Sequence, residues 1–137
     1  MEPIHILLVE DNEGDILLTR HALEETNILT ELTVVKDGKE AMDFLDGTLS
    51  YSDAAKPGII ILDINLPKRN GHQVLKFIKE HEDLKHIPVI MLTTSSSPTD
   101  IKQASENAVN WFITKPLEPQ VFIEVMASIN KPANRSK

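Results

Sequence analysis

Apolar residues in this chain gather into short runs instead of alternating with polar ones. Ile4 to Val9, Ile59 to Leu62, Val89 to Leu92 and Trp111 to Ile113 are four such runs, each closed by polar residues, and Leu32 to Val35 is a weaker fifth. Rich in Ile and Val, they read as strands buried on both faces, as in a parallel sheet covered by helices. The stretches between them have helical spacing. Gly14 to Thr26 sets Ile16, Thr19, Ala22 and Leu23 on one face, which Leu17 and Leu18 widen. Lys39 to Leu45 carries Ala41, Met42 and Leu45; Gly71 to His81 carries Val74, Leu75 and Ile78, with Phe77 beside them. Thr99 to Asn107 carries Ile101 and Ala104, with Ala108 just beyond, and Glu118 to Ile129 carries Val121, Phe122, Val125, Met126 and Ile129. Helix starts are signalled by Ser97-Pro98-Thr99-Asp100 and by Pro116, Glu118 and Pro119.

The order of elements is thus β-α repeated five times. Crossovers of this length predict an α/β fold with a parallel sheet and right-handed connections. The common doubly wound solution for five strands is the flavodoxin-like (βα)5 order 2-1-3-4-5. Residues 1–130 read as one domain and residues 131–137 as a solvated polar tail with three positive charges. Gly47 to Gly58, with Ser50-Tyr51-Ser52, exceeds a usual α-to-β connection and reads as a surface insertion. There is no internal repeat or low-complexity tract.

Composition narrows the function classes. With 137 residues, 41% hydrophobic and 26% charged, the chain suits a single core. No apolar run approaches the ~20 residues of a membrane helix, and Met1-Glu2-Pro3 does not open a signal peptide. The absence of cysteine excludes disulfides, thiol catalysis and thiolate metal sites and fits a reducing cytoplasm. A net charge of −7 and a pI near 5.2, with no basic stripe, argue against nucleic acid as a partner.

In an open α/β sheet the functional crevice lies beyond the carboxyl ends of the strands. The residues leaving the strands are Glu10-Asp11-Asn12, Asp63-Ile64-Asn65, Thr93-Thr94-Ser95 and Thr114-Lys115-Pro116. If the first, third and fourth strands are neighbours, three acids, a hydroxyl and an amine crowd together. Clustered carboxylates repel unless a cation or protons offset them. None of the five histidines leaves a strand, so the site offers oxygen ligands, which suit Mg²⁺. Asp11 and Asp63 fit as direct ligands, with Glu10 acting through water. A carboxylate beside such an ion can attack phosphorus and form an aspartyl phosphate. Lys115 would meet the developing charge and Thr93 would add a hydroxyl.

Each feature alone has a plainer explanation. An Asp after a strand is ordinarily a turn or cap residue, Glu10-Asp11-Asn12 could simply cap a helix, Thr93 to Ser95 could be turn chemistry, and Gly71 reads as a turn residue. Four polar clusters, each at the exit of a different apolar strand, make those explanations inadequate together.

With these residues in place the chain resembles the receiver-domain family of two-component signalling, over residues 4 to 130. The resemblance rests on Glu10-Asp11, Asp63, Leu66-Pro67 with Gly71, Thr93 and Lys115-Pro116, and on spacings of 52, 30 and 22 residues from Asp11 to Asp63 to Thr93 to Lys115. It is similar in particular to the single-domain regulators found beside bacterial phytochrome-type histidine kinases, through Val9 to Asp15, the stretch before the third strand, Asp63 to Gly71 and Leu92 to Ser96. The resemblance implies that Asp63 takes a phosphoryl group from a histidine kinase or phosphotransfer protein. Asp11, Asp63 and the Asn65 backbone carbonyl would ligate Mg²⁺, Lys115 would contact the phosphoryl oxygens, and Thr93 would swing toward them. Phe112 stands where the family keeps a mobile aromatic, without the Tyr hydroxyl often found there, and Lys115-Pro116 is where a cis peptide is expected. Trp111 reads as a surface or interface residue. Asn65 and Ser95 would tune the phosphoryl lifetime.

Other classes fit less well. A phosphatase of the haloacid-dehalogenase type wants Asp-x-Asp after its first strand, whereas Asp63-Ile64-Asn65 follows the third and lacks the second acid. A nucleotide-binding flavodoxin-like module needs a Gly- or Ser/Thr-rich loop where Glu10 to Asp15 stands. A receiver-shaped module that is never phosphorylated has no use for the full set of acids, Thr and Lys. The chain is expected to act in the cytoplasm by contact with another protein or by competing for phosphoryl groups, catalysing only its own phosphorylation and dephosphorylation. The resemblance suggests a homodimer through the fourth helix, fifth strand and fifth helix.

Overall fold

Five parallel strands lie in the order β2-β1-β3-β4-β5, as the pattern of apolar runs predicts. The computed structural model describes residues 3–51, 56–66, 70–94 and 97–129. In chain order the elements are β1 (Ile4–Val9), α1 (Glu13–Glu25), β2 (Thr30–Val35), α2 (Gly38–Tyr51), β3 (Ile59–Asp63), α3 (Gly71–Glu80), β4 (Val89–Thr93), α4 (Pro98–Glu106), β5 (Trp111–Thr114) and α5 (Pro119–Ile129).

The unbroken apolar runs follow from coverage of both sheet faces. Successive strand residues point to opposite sides, so Leu7, Val9, Ile60, Leu62, Val89 and Met91 pack with Ala41, Leu45, Val74, Leu75, Ile78 and Ala104 of α2, α3 and α4. Their neighbours Ile6, Leu8, Ile59, Ile61, Ile90 and Leu92 pack with Ile16 and Leu23 of α1 and Phe122, Val125 and Met126 of α5. Phe122 is fully buried. Phe122→Ala is expected to cost about 3–5 kcal/mol, measured by chemical denaturation.

Local signals set the helix ends. The Asn12 side chain accepts from the Asp15 amide to cap α1 (2.9 Å), and Asn70 and Gln73 form a capping box on α3. Ser97 caps α4, with Pro98 in its first turn, as the sequence suggests.

Several expectations need correction. The stretch from Gly47 is no insertion at its start, because α2 runs on to Tyr51; residues 52–55 lie outside the described set. Leu17 and Leu18 do not widen the buried face of α1 but stand about half exposed, because α5 covers only the Ile16 side. On α4 only Ala104 is buried, while Ile101 and Ala108 face outward. Trp111, read as a surface or interface residue, is half-buried against the α1–α5 side of the sheet.

Candidate functional site

The carboxyl ends of β1, β3, β4 and β5 meet as one cleft edge, pinned by main-chain hydrogen bonds. The Glu10 amide donates to Val35 O (3.0 Å), Ile64 N to Leu92 O (3.1 Å) and Lys115 N to Thr93 O (2.7 Å). These bonds fix where each strand lets go of its chain, and so where the polar residues begin.

Glu10, Asp11 and Asp63 converge: one carboxylate oxygen of each lies within 4.8 Å of the others. Glu10 and Asp63 are buried, whereas Asp11 is exposed at the mouth. Lys115 enters from the far end of the chain, past a cis peptide bond to Pro116. Its ammonium stands 2.9 Å from Glu10 Oε1, 2.8 Å from Asp15 Oδ2 and 3.5 Å from Asp63 Oδ1. The Glu10 contact has ion-pair distance but lies off the line of a hydrogen bond, which leaves Oε1 buried without an aligned donor. The other Glu10 oxygen accepts from the Asn12 amide at 3.3 Å.

Burial dominates the Glu10 carboxyl and, with the Asp63 charge, outweighs Lys115 and the Asn12 amide, raising its pKa to about 7. Burial also works against the charged form of Lys115, but the hydrogen bond to Asp15, the close Glu10 carboxylate and the Asp63 charge overcome it and hold the ammonium above the usual lysine range. One lysine thus faces three acids, and a fourth lies beside it in Asp11. This donor set fits a hard divalent cation: all oxygen, more negative than its single ammonium offsets, with a buried oxygen lacking an aligned donor.

Asn65 and Thr93 stand at the exits of β3 and β4. The Asn65 amide approaches Asp63 Oδ1 at 3.4 Å. Thr93 is buried at the end of β4, and Phe112 is half-buried on the α2–α4 side of the sheet, in the cluster that holds Ala104. Pro67 and Ser95 lie outside the described residues.

Sequence reading missed three participants. Asp15 binds Lys115; its signal is its place at the third helical position after the Asn12 cap. Gly71 is no ordinary turn residue, since a Cβ there would stand 2.4 Å from Asp63 O. His72 is buried and meets Asp100 Oδ1 at 3.0 Å, joining the starts of α3 and α4. No local pattern announces that pair.

The fold is a five-stranded parallel α/β module with an acid-lysine cleft at the carboxyl edge of its sheet, and the chain belongs to the response regulator receiver domain family, which matches residues 6–127. Phosphoryl acceptance on an aspartate is general to that family. Among curated proteins the chain is similar to the response regulator Rcp1 of Synechocystis sp., 43% identical over 113 residues that cover 82% of this chain and 77% of Rcp1. The Mn²⁺-bound crystal form of Rcp1 superposes with a TM-score of 0.76 at 40% identity, covering 91% of both chains. The phosphorylated cyanobacterial phytochrome response regulator RcpA is similar at TM-score 0.77 and 39% identity, over 93% of this chain and 91% of that one. The bacteriophytochrome response regulator AtBRR gives 0.79 and 41%, over 93% and 92%. Among the described residues no helix is long and apolar enough to cross a membrane.

Proposed function

We propose that this chain is a response-regulator receiver that accepts a phosphoryl group on Asp63 and signals by a change in its α4–β5–α5 surface. The observation that carries this reading is the placement of buried Asp63 beside Glu10, Asp11 and the Lys115 ammonium at the carboxyl edge of the sheet. The receiver domain would span residues 1–130; the polar residues 131–137, read from the sequence as a tail, lie outside the described residues. The donor is a histidine kinase, of the phytochrome type by likeness to Rcp1, RcpA and AtBRR, or a phosphotransfer protein.

In the transfer, an Asp63 carboxylate oxygen attacks phosphorus and forms the new P–O bond. The P–N bond to the donor histidine breaks, its electron pair stays on the ring nitrogen, and the imidazole takes up a proton from water. The Asp11 and Asp63 carboxylates and the Asn65 carbonyl would hold Mg²⁺, with Glu10 acting through water, and the ion supplies positive charge against the acids and the phosphoryl oxygens. Lys115 meets a phosphoryl oxygen as a point charge, and the Thr93 hydroxyl turns toward another. Movement of Thr93 vacates space toward which Phe112 can rotate, biasing a two-state surface. That surface would contact a partner protein, a second copy of the chain included, in the cytoplasm. The acidic charge of −7 gives neither nucleic acid nor an anionic membrane a footing. The only reactions catalysed would be the chain's own phosphorylation and dephosphorylation.

Intact mass after incubation with acetyl phosphate or phosphoramidate tests the reading. One added phosphate is expected, dependent on Mg²⁺, absent in Asp63→Ala and labile to hydroxylamine. Folded protein that gains no mass would reduce the chain to a binding module, and many turnovers of donor would make it a phosphatase.

A further inference from the structure

Asp15 has no role in the transfer just described, yet its carboxylate holds the ammonium on which that transfer draws. Lys115 Nζ donates to Asp15 Oδ2 at 2.8 Å, closer than its 3.5 Å approach to Asp63 Oδ1. Helix capping alone does not account for this. In a capping box the acid at the third helical position returns to the N-cap amide. Here the Asn12 amide goes to Glu10 Oε2 instead, the Asn12 side chain holds the Asp15 amide in place, and the Asp15 carboxylate turns to a residue 100 positions away. Leu18, Leu92, Pro116 and Leu117 help to line the cleft around the pair, whose volume of about 10 Å³ admits no more than about one water.

We propose that Asp15 is a positioning residue that competes with the phosphoryl group for the Lys115 ammonium and so limits how readily Asp63 gains and keeps that group. The inference rests on Asp63 being the phosphoacceptor. An ammonium has only three donors. Glu10 and Asp15 occupy its two short contacts, leaving the long one to Asp63. A phosphoryl group adds charge and three acceptor oxygens at Asp63, and Lys115 must turn from Asp15 to meet them. The Asp15 charge also opposes an anionic donor at the cleft mouth. Asp15 therefore holds the lysine ready but withholds part of its charge until the phosphoryl group outbids it.

Beryllofluoride, a stable mimic of the phosphoryl group, provides the test. It would be titrated with Mg²⁺ present into the full chain as wild type, Asp15→Asn, Asp15→Glu and Glu13→Gln, with amide and Lys115 side-chain resonances followed. Glu13 shares the first turn of α1 but pairs with Lys36, so its neutralisation removes the same helix-end charge without touching Lys115. Asp15→Asn is expected to half-saturate at roughly 3- to 10-fold less beryllofluoride, a charge-assisted bond discounted for partial exposure. Its Lys115 resonances should differ from wild type before any ligand is added. Asp15→Glu should return toward wild-type affinity, and Glu13→Gln should match it. Wild-type affinity in Asp15→Asn, or an equal gain in Glu13→Gln, would overturn the inference. If wild type bound no beryllofluoride, or Asp63→Ala bound it equally well, the phosphoacceptor reading would fall and this inference with it.

Discussion

Lys115→Met is expected to lower the stability of the magnesium-free protein by about 3–5 kcal/mol, the usual cost of removing one partner from a buried charge pair. Lys115 is 11% exposed and its Glu10 partner 1%, and the methionine keeps the side-chain bulk while leaving the acids of the cleft without their cation. The loss should depend on pH. Glu10 has a folded pKa of about 7 against 4.5 for the free side chain, so its contribution to stability is full below 4.5 and is lost as the pH rises through 7. Without the lysine the folded value climbs further, and the deficit of the variant should widen above neutrality and shrink in mild acid. Millimolar Mg²⁺ should restore much of the difference, since the ion offsets the same charges. Urea denaturation across pH, with and without Mg²⁺, measures all of this. A variant as stable as wild type above neutrality without the metal would show that Lys115 does not offset the acids.

Gly71→Ala should damage the site more than its size suggests. The added Cβ would lie 2.4 Å from the Asp63 carbonyl oxygen and 2.7 Å from Ile64 Cα, both backbone atoms that cannot swing aside. The Gly71 amide is tied to Ile64 O at 2.8 Å, so α3 and the β3 exit must part together. Such overpacking costs about 3 kcal/mol. It also moves Asp63 and Asn65, and a displacement near 1 Å slows a positioned reaction by about 100-fold. The rate of phosphate incorporation from acetyl phosphate is therefore expected to fall by about that factor. Gly58→Ala, whose Cβ meets nothing nearer than 3.7 Å, should leave the rate unchanged.

Much of the fold can be read from residues close together in the chain. Runs such as Ile59 to Leu62 announce doubly buried strands because each neighbour must find its own apolar face. Ser97 and Pro98 mark the start of α4 through chemistry confined to one turn. Leu17, Leu18 and Ile101 misled because helical periodicity shows which residues share a face, not how much of that face a neighbouring element covers. The end of α2 misled in the other direction: Gly47, a poor helix former, did not stop the helix, which runs on to Tyr51.

The same division runs through the site. Glu10, Asp11, Asp63, Thr93 and Lys115 were legible because each leaves a strand, and parallel strands bring their exits to one edge whatever the loops do. The partners those side chains choose were not. The pairing of Asp15 with Lys115, of His72 with Asp100, and the approach of Gly71 to Asp63 O join residues 100, 28 and 8 positions apart. Strand register, helix placement and loop path together set those contacts, and a local run of sequence encodes none of them. Short-range chemistry therefore settled which elements form and which residues reach the cleft, while long-range packing settled which acid holds the lysine and how little room the β3 exit leaves.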